Sequence, residues 1–335
     1  MREDYKELDT MKRVLITGAA GFIGFHLARK LLAQGMNIIG YDNMNRYYDI
    51  SLKEKRLALL NEYPNFIFIK GDLADKAAVD QVFNDYQPQI VVNLAAQAGV
   101  RYSIENPGAY MDSNIIGFYH ILEACRHQKT EHLIFASSSS VYGANKKVPF
   151  QVEDKTDSPV SLYAATKKSN ELMAYTYSHL YNLPVTGLRF FTVYGPFGRP
   201  DMAYYSFTKN ILEGKPLQIY NHGKMFRDFT YIDDVILCIE KILCNPPSRH
   251  KNDTQYKLYN IGNQRPEQLM DFITTLEQCL GKEAEKVYLS MQAGDVYETY
   301  ADVRDLILDY DFAPQTTIQT GLASFTSWYK EYYLL

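Results

Sequence analysis

Arg13-Val-Leu-Ile-Thr17, followed at once by Gly18-Ala19-Ala20-Gly21-Phe22-Ile23-Gly24, decides the fold of this 335-residue chain. The first five residues are a short apolar, β-branched run of the kind that forms a buried strand. The next seven hold three glycines in GxxGxxG spacing. From Phe22 to Ala33 apolar residues then recur at helical intervals. A strand, a glycine turn and a helix in that order let the backbone turn sharply and bring a pyrophosphate to the helix N-terminus, where N–H groups and the helix dipole favour negative charge. Taken alone, the glycines could equally serve only to pack the helix on a sheet.

Working outward, Asn37–Tyr41 is a second strand, ended by Asp42, 18 residues beyond Gly24. A carboxylate there can accept hydrogen bonds from both adenosine ribose hydroxyls and repels a 2′-phosphate, which favours NAD over NADP. Phe66–Lys70, Ile90–Leu94 and His132–Ala136 are further strands, with helical patterns between them, notably Asp75–Tyr86 and Ala109–Arg126. Ser161–Tyr181 reads as a long helix and Val185–Phe190 as a strand. Continuous apolar strands alternating with helices imply a parallel sheet covered on both faces, an α/β doubly wound fold. After Pro196 the pattern loosens into helices (Tyr204–Glu213, Asp233–Leu243, Glu267–Leu280) and short strands (Leu217–Tyr220, Lys257–Ile261, Lys286–Leu289). We therefore expect a flexible leader over 1–11, a Rossmann NAD-binding domain over 12–195, and a smaller α/β lobe over 196–335 that mainly binds substrate. The polar loop Pro246–Thr254 reads as an exposed excursion.

Bulk properties exclude several classes. Apolar residues make up 46% and charged residues 22%, as in ordinary globular proteins, and no run is long enough to span a membrane. The N-terminus MREDYKELDTMKR has no apolar segment of a secretory signal. A net charge of −4 provides no basic field for nucleic acid. Cys125, Cys238, Cys244 and Cys279 form no CxxC pair, and the seven histidines show no ligand spacing, so we expect no metal site. The cysteines read as free thiols of a reducing, cytoplasmic compartment. The 28 tyrosines have no evident cause in the sequence.

Tyr163-Ala-Ala-Thr-Lys167 places a phenol and an ammonium one helical turn apart. A free tyrosine titrates near pH ~10, too high for a general base at neutral pH. An adjacent ammonium and a positive nicotinamide ring would lower that value. By itself such a pair is also what a solvated helix face looks like. Ala136-Ser137-Ser138-Ser139-Ser140-Val141-Tyr142-Gly143 follows a buried strand, where loops at a sheet's carboxyl ends meet ligand. The Ser138 hydroxyl could share a substrate proton with Tyr163. Gly71-Asp72-Leu73, after the third strand, puts Asp72 either near an adenine or at a helix N-cap.

With these motifs the chain resembles the extended short-chain dehydrogenase/reductase superfamily, from about Lys12 to the C-terminus. Within it the chain is most similar to the nucleotide-sugar 4-epimerases, in particular the group acting on UDP-glucuronate. The segments that carry this are Tyr41-Asp42-Asn43-Met44-Asn45, Leu94-Ala95-Ala96-Gln97-Ala98-Gly99-Val100-Arg101-Tyr102-Ser103, Phe190-Phe191-Thr192-Val193-Tyr194-Gly195-Pro196, Gly198-Arg199-Pro200-Asp201-Met202-Ala203 and Arg227-Asp228-Phe229-Thr230-Tyr231-Ile232-Asp233-Asp234. The resemblance implies NAD as cofactor, held by Gly18, Gly21, Phe22, Ile23, Gly24, Asp42, Asn43, Asn45, Asp72, Leu73, Leu94, Ala95, Ala96 and Ala98, with Asn114 beside it and Tyr163 and Lys167 at its reactive end. It implies a UDP-sugar substrate, with Thr192, Ser138, Ser139 and Ser140 facing the sugar and Arg227 on the phosphates. Gln218 and Tyr220 would lie near the nucleotide, and Asp295 near the uridine ribose. Arg101 and Arg199 would supply local positive charge, or else only solvate the surface. It also implies a homodimer through the helices Ala109–Arg126 and Ser161–Tyr181.

Related dehydratases carry Asp-Glu just before the Val-Tyr-Gly, and related UDP-glucuronate decarboxylases carry a Glu in that loop. This chain has Ser139-Ser140, whose hydroxyls cannot replace a carboxyl pair in elimination chemistry. Oxidation at C4, rotation of the keto sugar and return of the hydride are what remain. Two other readings are a 4-epimerase of neutral UDP-hexoses or UDP-N-acetylhexosamines, and a non-catalytic dinucleotide sensor on the same fold.

Overall fold

The computed structural model describes residues 5–249, 254–290 and 297–335. The first half runs β1 (Arg13–Thr17), α1 (Phe22–Ala33), β2 (Asn37–Asp42), α2 (Ser51–Leu60), β3 (Phe66–Lys70), α3 (Lys76–Tyr86) and β4 (Ile90–Asn93). Two short turns of helix follow, α4 (Tyr102–Glu105) and α5 (Pro107–Tyr110), then a π-helical stretch Met111–Ile116 and α6 (Gly117–Gln128). Next come β5 (His132–Ser138), α7 (Leu162–Tyr181) and β6 (Val185–Phe190). The remainder comprises β7 (Thr192–Tyr194), α8 (Ala203–Glu213), β8 (Leu217–Ile219), β9 (Phe226–Tyr231), α9 (Ile232–Leu243), β10 (Tyr256–Ile261), β11 (Pro266–Gln268), α10 (Leu269–Leu280), β12 (Lys286–Tyr288), β13 (Glu298–Thr299), α11 (Arg304–Tyr310) and α12 (Ile318–Tyr333).

Seven parallel strands form the main sheet in the order β10-β6-β5-β4-β1-β2-β3. Successive side chains of a strand point to opposite faces, and both faces here are apolar. Val14 and Ile16 enter one core with α1 and α9. Leu15 enters the other, with Val82, Phe118 and Ala174 from α3, α6 and α7. Each fully buried aliphatic side chain contributes on the order of 2 kcal/mol. This is why the strands read as unbroken apolar runs.

Three features differ from the expectations. β10 lies in the region expected to be the second lobe, yet it pairs with β6 at the sheet edge, and α9 packs on α1. The chain thus returns to the first unit after leaving it. Leader residues 5–8 are held: Lys6 and Asn245 exchange two hydrogen bonds, of 2.7 and 3.0 Å, and Tyr5 and Leu8 pack on the core. The helix expected over Ala109–Arg126 is interrupted by the π-helical stretch. Its widened turn points Asn114 inward, where Asn170 donates to its carbonyl at 2.6 Å.

The smaller lobe holds a four-stranded sheet of β11, β9, β13 and β7 and a β8–β12 pair. Tyr205, Phe325, Trp328, Tyr329 and Tyr333 form a cluster of edge-on and tilted rings, and Tyr205 and Tyr329 are buried in it, so part of the tyrosine excess is core. The four cysteines are free thiols, three of them buried. No helix among the described residues is long and apolar enough to cross a membrane, and none of those residues form a metal-ligand cluster.

Candidate active site

A cleft of about 1080 Å³ lies at the carboxyl ends of β1, β2, β4, β5 and β6 and is covered from the far side by the 199–210 segment, Gln218, Tyr220 and Arg227. One of the proposed site residues, Asn114, is not on its wall, and another, Asp295, is outside the described residues. Asn114 is buried behind the wall, where it accepts from Gln97 N at 2.8 Å and donates to Gln97 O at 3.0 Å and Thr166 Oγ1 at 3.1 Å. It holds the 94–98 loop in place from the rear. All the other proposed residues line the one cleft.

The glycine turn admits only glycine at its critical points. Gly18 has φ +72°, and a Cβ there would meet Ala95 N at 2.8 Å. A Cβ on Gly24 would meet Gly18 O at 2.2 Å. Gly21 caps α1 with no side-chain hydrogen bond, and no acidic residue occupies the first turn. That leaves the positive end of the helix facing the cleft, as a pyrophosphate requires. Asp42 is buried at the end of β2, accepting from Ala20 N at 3.2 Å and Met44 N at 2.8 Å. The residues present therefore fit a dinucleotide. Asp72 lies beside Asp42's loop, accepting from Asn43 Nδ2 at 2.9 Å and Ala74 N at 2.9 Å, while Asp75 caps α3.

Sequence reasoning missed several cleft residues. Lys53, from α2, is buried 3.7 Å from Asp42 and donates to Asn45 Oδ1 at 3.0 Å. Nothing local to α2 signals this, because the contact spans a loop. Tyr47, Tyr102, Tyr142, Phe150, Asp201 and Thr299 also line the wall. Arg56, fully buried, donates to Ala20 O, Tyr48 Oη, Phe197 O and Gly198 O at 2.6–3.2 Å. It straps the glycine turn to the loop that presents Arg199.

At the reactive end Ser161 caps α7 by accepting from Ala164 N at 3.1 Å. Tyr163 thus sits in the first helical turn, half-buried. The Ser138 hydroxyl lies beside its phenol. Burial raises its pKa, and the Ser138 hydroxyl and the Arg199 charge oppose this without overcoming it. Lys167 is buried one turn on and donates to Ala136 O at 2.8 Å. Desolvation pulls its pKa down to about 8. Its ammonium is turned to a carbonyl, and the Arg199 charge adds to the groups that pull the Tyr163 phenol down. Arg199 is ion-paired to Asp201 at 2.5 Å, and Asp201 accepts from Tyr47 Oη at 3.2 Å.

Ser138 ends β5 and caps a single 3-10 turn, Ser139–Tyr142, accepting from Ser140 N at 3.2 Å and Ser140 Oγ at 2.9 Å. The turn folds three hydroxyls against the cleft, whose wall Thr192, at the start of β7, also lines. Arg101 lies over the Tyr220 ring at 5.6 Å, and Tyr220 donates to Gln218 Oε1 at 2.8 Å. Arg227 donates to Phe226 O at 2.8 Å, and its strand pairs with Thr299.

A dinucleotide turn and a Ser–Tyr–Lys group in one cleft define an enzyme that oxidises or reduces a bound alcohol by hydride transfer. More narrowly, the chain belongs to the NAD-dependent epimerase/dehydratase family, whose model matches residues 14–262. It is 57% identical to Protein CapI of Staphylococcus aureus, with 96% of this chain and 99% of that protein covered. It is 45% identical to the probable UDP-glucuronate 4-epimerase of Rhizobium meliloti, covering 96% and 98%. Its fold matches the crystal structure of UDP-glucuronic acid 4-epimerase from Bacillus cereus, solved with UDP-glucuronic acid and NAD. There the TM-score is 0.86 and the identity 34%, over 96% of this chain and 100% of that one.

Proposed function

We propose that this enzyme is a UDP-glucuronate 4-epimerase, interconverting UDP-glucuronate and UDP-galacturonate with NAD. The relatives that bear this name support the substrate. The observation that carries the reaction type is the turn beside Tyr163, which offers three serine hydroxyls and no carboxyl group.

Tyr163, as phenolate, takes the proton of the sugar 4-hydroxyl at its Oη, with the Ser138 hydroxyl beside it to share that proton. When bound, NAD would supply hydride acceptance and donation at C4, and its positive ring would add to the Arg199 charge in favouring the phenolate. Lys167 Nζ, fixed by Ala136 O, lines the cleft and would also donate to a ribose hydroxyl of the bound dinucleotide. Asp42 accepts from the adenosine ribose, and the bare N-terminus of α1 takes the pyrophosphate. Arg227, Gln218 and Tyr220 hold the UDP end while the keto sugar rotates. Tyr163 then returns its proton to the 4-oxygen on the other face.

The 4-keto uronate is a β-keto acid and is prone to lose CO₂. Ser138, Ser139, Ser140 and Thr192 hold its carboxylate in the plane of the ring, where the bond to C5 is poorly aligned with the carbonyl. Incubating the protein separately with UDP-glucuronate, UDP-glucose and UDP-N-acetylglucosamine tests the substrate; no turnover of the uronate refutes it. A Ser139→Ala/Ser140→Ala variant is expected to release UDP-pentose. Unchanged epimerisation with no pentose would refute the holding role.

We also propose a homodimer. Met111 and Ile116 before α6, Tyr119 on it, and Leu172, Tyr175 and Leu180 on α7 are large apolar side chains left exposed, Leu172 by 58%. Light scattering showing a monomer at micromolar concentration would refute this. The free thiols fit a cytoplasmic enzyme.

A further inference from the structure

The serine turn has a buried support that the reaction above does not use. Glu171 lies one turn beyond Lys167 on α7, and Arg189 lies on β6. They form a two-pronged ion pair, Nε to Oε1 at 2.8 Å and Nη2 to Oε2 at 2.9 Å, with both side chains 2% exposed. The pair grips both ends of the serine turn. Ser137 donates to Glu171 Oε1 at 2.7 Å on the near side. On the far side Arg189 donates to Tyr142 Oη at 3.0 Å and lies over its ring at 4.9 Å. Tyr142 in turn donates to Asn260 Oδ1 at 2.7 Å and stacks on Phe150. Ser138, Ser139 and Ser140 sit between these two anchors.

A buried ion pair adds little net stability over a well-packed apolar pair, because both charges lose their water. What it does provide is fixed geometry, since a planar guanidinium against a carboxylate admits few orientations. Resting on the UDP-glucuronate reading, we propose that Glu171 and Arg189 are positioning residues that hold the serine turn, and through it the sugar carboxylate, so that the keto intermediate is epimerised and not decarboxylated. When the turn tilts, the bond from C5 to the carboxylate can line up with the C4 carbonyl. That bond then breaks, its electron pair enters the carbonyl as an enolate, CO₂ leaves, and a proton is taken up at C5.

The experiment compares CO₂ released from carboxyl-labelled UDP-glucuronate with UDP-galacturonate formed. Three variants keep the ion pair and hence the fold. Ser137→Ala cuts the near anchor and Tyr142→Phe the far one. Tyr256→Phe removes only a bond to the main-chain carbonyl of Glu171, 3.2 Å away. The expected result is a rise in the CO₂-to-galacturonate ratio of about tenfold in the first two, a small shift in competing barriers, with the Tyr256 variant matching the unsubstituted enzyme. Ratios unchanged in Ser137→Ala and Tyr142→Phe, with turnover intact, overturn the proposal and leave the epimerase reading standing. An equal rise in Tyr256→Phe overturns it too, since general loosening of α7 would then suffice. No turnover of UDP-glucuronate by the unsubstituted enzyme overturns the functional reading and this one with it.

Discussion

Lys167 is expected to destabilise the protein that it serves. Its ammonium is buried, and desolvation brings its pKa from the ordinary 10.5 down to about 8. Each pKa unit corresponds to about 1.4 kcal/mol, so keeping the charge in the folded state costs about 3 kcal/mol at neutral pH. The sign follows from proton counting. Between pH 8 and 10.5 the unfolded chain still holds the lysine proton and the folded chain has lost it. The unfolded state then binds more protons, and stability rises with pH across that window. Lys167→Met removes the titration. It also strips Ala136 O of its donor, which costs about 1–3 kcal/mol, so the offset at pH 7 is a balance of two terms. The pH dependence has no such ambiguity. Relative to the Met variant, the unsubstituted protein is expected to gain about 3 kcal/mol from pH 7 to about 10.5. Urea unfolding of dinucleotide-free protein at both pH values measures this, and tyrosine ionisation largely cancels in the difference. A difference that stays flat within about 0.5 kcal/mol, the usual spread for a surface substitution, would refute the reasoning.

Three further outcomes follow from the same geometry. Tyr163→Phe keeps the ring contact with Tyr110 at 6.0 Å but loses the proton acceptor, so turnover is expected to fall by about 10²–10⁴-fold in an epimer-ratio assay, and retained activity would remove the mechanism. Arg199→Met takes away the cation that lowers the phenol, so the acidic limb of kcat/KM is expected to move to higher pH; an unmoved limb would mean that the charge does not reach Tyr163. Asp42→Asn leaves Lys53 without its carboxylate at 3.7 Å and lifts the repulsion of a 2′-phosphate. The NAD-to-NADP affinity ratio, measured by fluorescence titration, is expected to fall by about tenfold or more.

The legible parts of this molecule are those whose physics is local. β1, β2, β4 and β5 announce themselves because strands buried on both faces are made mostly of apolar residues. The glycine turn is readable because a Cβ at Gly24 would strike Gly18 O. Other features depend on contacts far apart in the chain. The apolar spacing of 109–126 runs through the π-helical stretch without a break, so the inward turn of Asn114 leaves no trace in the pattern. Lys53 is an ordinary helix lysine until α2 folds against β2. Residues 256–261 read as a strand, but nothing in them says which sheet they join. Glu171 and Arg189 have the composition of a solvated surface, and only the packing of α7 against β6 shows them buried.

That buried pair also bears on which member reaction of the family the cleft can support. Elimination of water from a 4-keto sugar needs one carboxyl group to give a proton and another to take one. Glu171 stands directly behind the serine turn, 2.7 Å from Ser137 Oγ, and is the obvious candidate to be recruited. Yet Arg189 binds both of its oxygens, Ser137 and Lys168 add further donors, and the contact raises the pKa of Arg189. A carboxylate so engaged has no path to the cleft. Asp201 does line the cleft, but Arg199 and Tyr47 hold its oxygens. The acids around the serine turn and the Arg199 loop are thus committed to holding structure, and hydroxyls occupy the positions beside Tyr163. Such an arrangement can oxidise, release and reduce a bound sugar, but it has nothing to push water off C6. Epimerisation is the outcome that this distribution of charge leaves open.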